Sequence, residues 1–205
     1  MKIITYAYEE EFASNCHMLY VGEKEVVLFD VGQPNARFYK KLQEKGLIVK
    51  AIFLTHAHFD HIQGIDFFSS DIPVYISYQG IEACQNPYEN ASFLDGKEVV
   101  VHHPLLPLRD QEVVTIEGHE ILVIETPFHT LDSLCFLIDR QVLISGDTLF
   151  YHGVGRSDLP RGCPRFYSSS MQKLKQIYLQ YGNLPVYTGH GKNTTLEEEM
   201  HHLNV

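Results

Sequence analysis

Thr55-His56-Ala57-His58-Phe59-Asp60-His61 stands directly behind residues 49–54, an almost wholly apolar run. A run of that kind predicts a strand buried on both faces. Side chains two apart in extended backbone share a side, so His56 and His58 can grip one ion. Asp60 and His61 then point elsewhere and are free to serve a second. Imidazole and carboxylate donors without thiolate suit zinc, iron or manganese.

Working outward, three single residues repeat the same setting. His129 follows a predicted strand at 121–125, Asp147 follows one at 142–145, and His190 follows one at 185–188. Each stands where an apolar run gives way to small or polar residues, the edge at which layered sheet proteins assemble sites. One such residue alone reads as a cap or a hydrogen-bonding group; together with the first cluster they read as a distributed ligand set. Twelve histidines are present. His17, His102, His103, His119, His201 and His202 lack partners at ligand spacing and read as surface or capping residues. His152 and its neighbour Tyr151 belong to the loop beside the site.

The rest of the chain supplies the scaffold. Short strands are expected at 2–8, 14–21, 25–30, 49–54 and 73–76, with helices at 36–45 and 62–68. Between 78 and 108 the prolines and Gly96 mark loops, leaving one helical turn near 80–84 and a strand near 99–101. Hairpins follow at 112–125, turning at Gly118, and at 134–145, turning at Asp139-Arg140. A helix is expected at 168–180 with a serine N-cap, a strand at 185–188, and a last helix opened by the capping box Thr195-Leu196-Glu197-Glu198. Both halves run strands, helix, strand, helix, an order that suits an α+β, four-layer αββα sandwich with residues 1–205 as a single domain.

Composition excludes other classes. The formal charge is −10 over 205 residues with no basic run, which argues against nucleic acid as a partner. No stretch approaches the roughly 18 apolar residues of a membrane helix. The opening MKIITYAYEEEF does not read as a signal peptide, and Cys16, Cys84, Cys135 and Cys163 are too scattered for a disulfide framework. The expectation is a cytoplasmic protein with reduced cysteines.

With these residues placed, the chain resembles the metallo-β-lactamase-fold hydrolases, and among them the glyoxalase II group of hydroxyacylglutathione hydrolase-like proteins. A second segment carries the likeness: Gly146-Asp147-Thr148-Leu149-Phe150, then Gly153-Val154-Gly155-Arg156-Ser157-Asp158-Leu159-Pro160. The resemblance implies that His56, His58 and His129 hold one divalent ion, that Asp60, His61 and His190 hold another, and that Asp147 bridges them. Zinc is the first expectation, with iron or manganese as alternatives. It implies hydrolysis of a small-molecule thioester or ester by hydroxide generated at the dinuclear site, with Asp60 as the catalytic carboxylate that orients the water and takes its proton. A thiolate leaving group, from a thiol of pKa about 8.5, needs no general acid.

Departures from the family pattern matter. Phe128 replaces the usual Gly before the third His, Leu131-Asp132 replace the usual Pro-Gly after it, and Phe29-Asp30-Val31-Gly32 replaces Ile-Asp-Pro-Gly. Only fifteen residues follow His190, which resembles the short form without the helical glutathione-binding domain. Phe128, Tyr151 and Arg156 are the candidate substrate contacts, with Phe128 either narrowing the pocket or reshaping the ligand turn and Arg156 either pairing with Asp158 or meeting an anionic substrate. Two other readings stay open. One is a persulfide dioxygenase with a single iron on His56 or His58, His129 and Asp147; the other is a metal-binding protein without catalysis.

Overall fold

The computed structural model describes residues 1–7, 13–33 and 36–204. The predicted end of the first strand at Tyr8 and the break at Pro34-Asn35 lie outside the described residues. The first sheet takes β1 (Lys2–Tyr6), β2 (Cys16–Tyr20), β3 (Glu25–Phe29), β4 (Ile48–Phe53), β5 (Val74–Ser77) and β6 (Leu105–Leu108), in that spatial order. The second takes β7 (Val113–Ile116), β8 (His119–Glu125), β9 (Leu134–Ile138), β10 (Val142–Gly146), β11 (Pro185–Thr188) and β12 (Thr194–Thr195), again in sequence order across the sheet. Helices α1 (Arg37–Glu44) and α2 (Phe59–Ile62) cover the first sheet; α3 (Tyr167–Tyr181) and α4 (Leu196–His202) cover the second.

The four layers follow from the period of two along each strand. On β3, Val26 and Leu28 face the helical side with Phe38 and Leu42 of α1, while Val27 and Phe29 face the other sheet. On β9, Phe136 and Ile138 face inward and Cys135 and Leu137 face the layer that holds Met171 and Leu174 of α3. Both faces are thus buried, which is why these strands read as continuous apolar runs. Between the sheets the rings of Phe29, Phe53 and Phe136 meet with centroids 5.4–5.6 Å apart.

Both hairpins form as expected. Glu117 and Gly118, and Asp139 and Arg140, have φ between 48 and 84°, the positive φ that two-residue turns matching strand twist require. Thr195 caps α4 by accepting the Glu198 amide at 3.3 Å. Elsewhere the structure corrects the expectation. Residues 99–101 form no strand; the Val101 amide bonds the Cys84 carbonyl and the Asn90 side chain bonds that of Val99. The strand lies instead at β6, across Pro107, which an edge strand tolerates because one side of it needs no N–H. The helix expected at 62–68 is split, because the Gly64 amide leaves it for the Val31 carbonyl at 2.8 Å. A Cβ on Gly64 would lie 2.4 Å from that oxygen. Helix α3 begins at Tyr167 behind a 3-10 turn at Pro164–Phe166, with Phe166 at the N-cap position and no side-chain cap; the serines fall inside the helix, where Ser170 Oγ donates to the Pro127 carbonyl. Among the described residues no helix is long and apolar enough to cross a membrane.

His17, on β2, is a structural link between the sheets. Its Nε2 donates to the Thr188 carbonyl at 2.9 Å and its Nδ1 accepts from Thr5 Oγ1 at 3.0 Å. Burial pushes the ring down to about 4. The folded state therefore keeps it neutral where the unfolded chain, titrating near 6.5, takes a proton. The stability it supplies is complete above pH 6.5 and is lost as pH falls toward 4, by up to about 3 kcal/mol. Urea midpoints of wild type and His17→Gln between pH 7 and 4 should show the shallower decline in the variant; parallel declines would refute the assignment.

Candidate metal centre

Strand ends meet at one edge. Strands β10 and β11 run parallel, so Asp147 and His190 emerge together. Strands β8 and β10 both run antiparallel to β9, which brings the His129 turn to the same side. The Leu134 amide bonds the Thr55 carbonyl at 2.7 Å and aligns β4 of the opposite sheet with them. Beyond Thr55 the chain runs extended through His58 and then makes the single turn of α2, which presents Asp60 and His61. Gly189 is required here: a Cβ on it would fall 2.0 Å from Asp147 Oδ1.

The structure brings all seven predicted ligands together. Nε2 of His129 lies 3.2 Å from Nε2 of His56 and 3.0 Å from Nδ1 of His58. Nε2 of His190 lies 3.3 Å from Nε2 of His61 and 3.0 Å from Asp60 Oδ2. Asp147 stands between the groups, with Oδ1 3.3 Å from His61 Nε2 and Oδ2 3.6 Å from both His129 and His190 Nε2.

Hydrogen bonding shows that these residues suit cations. His129 Nδ1 faces the Arg156 carbonyl, His58 Nε2 the Pro160 carbonyl at 3.3 Å, and His61 Nδ1 the Asp30 carboxylate at 2.8 Å. Thr55 Oγ1 donates to Asp30 and so accepts from His56 Nδ1 at 3.2 Å. Each outer nitrogen thus carries the proton, an assignment made from the hydrogen-bond network. The inner nitrogens of His56, His58 and His129 are left as lone pairs facing one another, an arrangement that a cation between them satisfies. Asp147 Oδ1 is buried without a hydrogen-bond partner.

Electrostatics agree. Burial, reinforced by the neighbouring rings, holds His56 well below the usual histidine range and His58 at about 4, so no proton competes for those nitrogens. For Asp147, burial alone would raise the carboxyl, but His61 and His190 hold it well below its ordinary range, and Asp60 is lowered in the same sense, chiefly by His61. Burial would likewise lower His61, yet Asp30, Asp147 and Asp60 raise it far above normal. Three carboxylates demand positive charge at that point, which a divalent ion supplies.

The other predicted residues divide. Arg156 lines a pocket of about 490 Å³ above the cluster, and both carboxylate oxygens of Asp158 hold its guanidinium at 2.7 Å. Tyr151 stacks on His152 at 3.9 Å, carries Lys192 Nζ on its ring face and is not among the pocket-lining residues. His152 Nε2 pairs with Glu198 at 2.9 Å. The expectation that Phe128 narrows the pocket is corrected. Its ring is buried in the layer beneath α3, edge-on to Tyr167 at 5.3 Å, because the Phe128 amide and carbonyl are fixed by Thr130 and Cys163. Phe128→Ala should therefore destabilise the fold by about 3–5 kcal/mol and leave the relative rates on small and bulky substrates unchanged. A shift in that ratio without a stability loss would return the ring to the pocket.

Three functional residues were not singled out from sequence. Asp30 orients Thr55 and His61; it ends an apolar strand just as the ligands do, and that signal was available. Asp132 accepts the Ala57 amide at 2.9 Å, pinning the extended stretch between His56 and His58. Arg161 donates to Asp132 at 3.1 Å and to Glu89 at 2.6 Å.

Two packed sheets flanked by helices, with a His/Asp cluster at their common edge, define a metallo-hydrolase scaffold. The chain belongs to the metallo-beta-lactamase superfamily, whose family model matches residues 10–190. It is 32% identical over 190 residues to a probable metallo-hydrolase, YqgX, of Bacillus subtilis, covering 91% of this chain and 89% of that one. It is 26% identical over 202 residues to the hydroxyacylglutathione hydrolase GloC of Haemophilus influenzae, covering 92% and 90%. Among solved structures, the B3 metallo-beta-lactamase BLEG-1 superposes with a TM-score of 0.87 at 31% identity, over 98% of this chain and 97% of that one.

Proposed function

We propose that the protein is a metal-dependent hydrolase of small-molecule thioesters or related esters, working at a dinuclear site. The observation that carries this reading is Asp147, whose carboxylate reaches both ligand groups and keeps a buried oxygen without a partner. Two divalent ions, zinc first and iron or manganese as alternatives, would be held by His56, His58 and His129, by Asp60, His61 and His190, and by Asp147 between them. Bound there, such ions acidify a shared water and polarise a carbonyl.

The chain's own residues do the rest. Asp60 is ionised, lines the pocket and has Oδ2 tied to His190, so its carboxylate orients the attacking water and takes its proton. The carbonyls of Arg156 and Pro160 keep the rings of His129 and His58 in their ligating orientation. A thiolate leaves without protonation, whereas a β-lactam nitrogen needs a proton as it leaves. The relative GloC is named a hydroxyacylglutathione hydrolase, which supports this reading. The four described cysteines are all free, which suits a reducing cytoplasm.

The test is metal content of protein purified without added metal, followed by assays with a thioester panel, a β-lactam and a glutathione persulfide. Two metals per chain with thioester turnover is the expected result. One iron with oxygen uptake on the persulfide would replace this reading by the dioxygenase one.

A further inference from the structure

Above the ligand cluster, the pocket wall is apolar. Phe59, Ala91, Leu94, Phe150 and Leu159 form it, and the Phe150 ring stands edge-on to the ligand His190 at 6.1 Å between centroids. Phe59 and Ala91 are nearly covered, but Leu94 is 57% exposed at the mouth. A contiguous apolar wall that opens to water, as this one does with Leu94 at its mouth, marks a surface that another apolar group covers.

The wall is held in place. Ala91 adopts φ 63°, a left-handed conformation that costs a non-glycine residue energy unless its surroundings enforce it. They do so here. Asn90 Nδ2 donates to the Val99 carbonyl at 2.8 Å, Asn90 Oδ1 accepts the Ser92 amide at 3.0 Å, and the Asn90 carbonyl accepts the Phe59 amide at 2.9 Å. That last bond fastens the wall to the first residue of α2, the helix that bears Asp60 and His61.

The charges at the mouth are already paired. Asp158 holds Arg156 through both oxygens, and Lys97 Nζ holds Asp95 at 2.6 Å. The rim therefore offers an apolar surface rather than a waiting cation.

Building on the hydrolase reading above, we infer that the acyl group of the substrate is an apolar chain, seated against Leu94, Phe150 and Leu159 with its carbonyl at the ligand cluster. The bond formed is acyl carbon to water oxygen and the bond broken is acyl carbon to sulfur. Water adds to the carbonyl as one of its protons passes to the Asp60 carboxylate, and the adduct collapses to the carboxylic acid and a thiolate that departs with the bonding pair. A short hydroxylated acyl group would leave the wall uncovered and place its hydroxyl against carbon.

The experiment uses the metal-loaded full chain and acetyl, butyryl, hexanoyl and lactoyl thioesters of one small thiol, N-acetylcysteamine. Non-hydrolysable thioether analogues of the same lengths are measured in parallel by calorimetry. Each methylene buried against the wall should raise kcat/KM, and tighten the thioether, by about fourfold. Leu94→Ser, at a largely exposed position, should flatten that slope. Hydrolysis with no dependence on chain length, or with lactoyl preferred, would overturn the inference and leave the hydrolase reading standing. Thioethers that tighten with length while no thioester is cleaved would have the opposite meaning. Thioether affinity that ignores chain length would overturn the inference whatever the activity.

Discussion

Asp147→Ala is expected to lose metal and activity together, with kcat/KM down by more than about 100-fold. The bound is set by outer-shell groups: removing a residue that merely orients a ligand costs about 10–100-fold in metal affinity or activity. Asp147 is a predicted ligand in its own right and is shared by both groups, with oxygens 3.3–3.6 Å from the nitrogens of His61, His129 and His190. Without it, the His56, His58 and His129 set has no carboxylate at all, and the second set keeps only that of Asp60. The fold should survive, because the anchors of the ligand loop are elsewhere: Asp30 on Thr55 and His61, and Asp132 on Ala57. Metal per chain by elemental analysis, read beside the urea midpoint, separates the two effects. Two tightly retained ions in the variant would remove Asp147 from the ligand set. Asp30→Asn is the control for an indirect role. It leaves all seven ligands in place, so it should weaken metal binding only within that 10–100-fold range.

The contrast between those two residues shows how far the sequence could be read. The ligand set was legible because a strand end delivers the chain to the sheet edge whatever the distant context, and the segments behind four strand ends, those of β4, β8, β10 and β11, carried the seven donors between them. Both sheets were legible for a related reason: alternation along β3, β9 and β10 buries both faces, and positive-φ pairs such as Asp139-Arg140 close the hairpins locally. β6 was not legible, because its place depends on an edge that tolerates Pro107, and edges are properties of the assembled sheet. Phe128 was misread for the same kind of reason. Its neighbour His129 points into the site, but the direction of the ring is set by bonds to Thr130 and to Cys163, the latter thirty-five residues away. Asp132 stood in the sequence only as a departure from Pro-Gly. Its meaning lies in an amide seventy-five residues earlier.

That departure leads to the second large effect, the loss of stability expected for Arg161→Met. Asp132 is fully buried, with Oδ2 on the Ala57 amide and Oδ1 on Arg161 Nε at 3.1 Å. Arg161 also reaches Glu89 through Nη1 and the Gln79 carbonyl through Nη2, both at 2.6 Å. One guanidinium therefore joins the stretch between His56 and His58 to the segment that carries Ala91 and Leu94. Replacing it leaves a buried carboxylate without its cation, which typically destabilises by about 3–5 kcal/mol. Arg161 keeps 17% of its side chain exposed, so the low end of that range applies. Arg161→Lys should recover little, since one ammonium cannot meet three acceptors set out for a planar fork. Arg161→Met combined with Asp132→Asn should recover part of the loss, because a neutral amide needs no counter-charge and can still accept from Ala57 through its carbonyl oxygen. Urea unfolding of the four proteins at pH 7 measures this. A double variant no more stable than Arg161→Met alone would show that Arg161 acts through Glu89 and Gln79 rather than through Asp132. A single variant within about 0.5 kcal/mol of wild type, the range of an ordinary surface change, would show that the pair is screened and that the stretch between His56 and His58 is held by Asp132 alone.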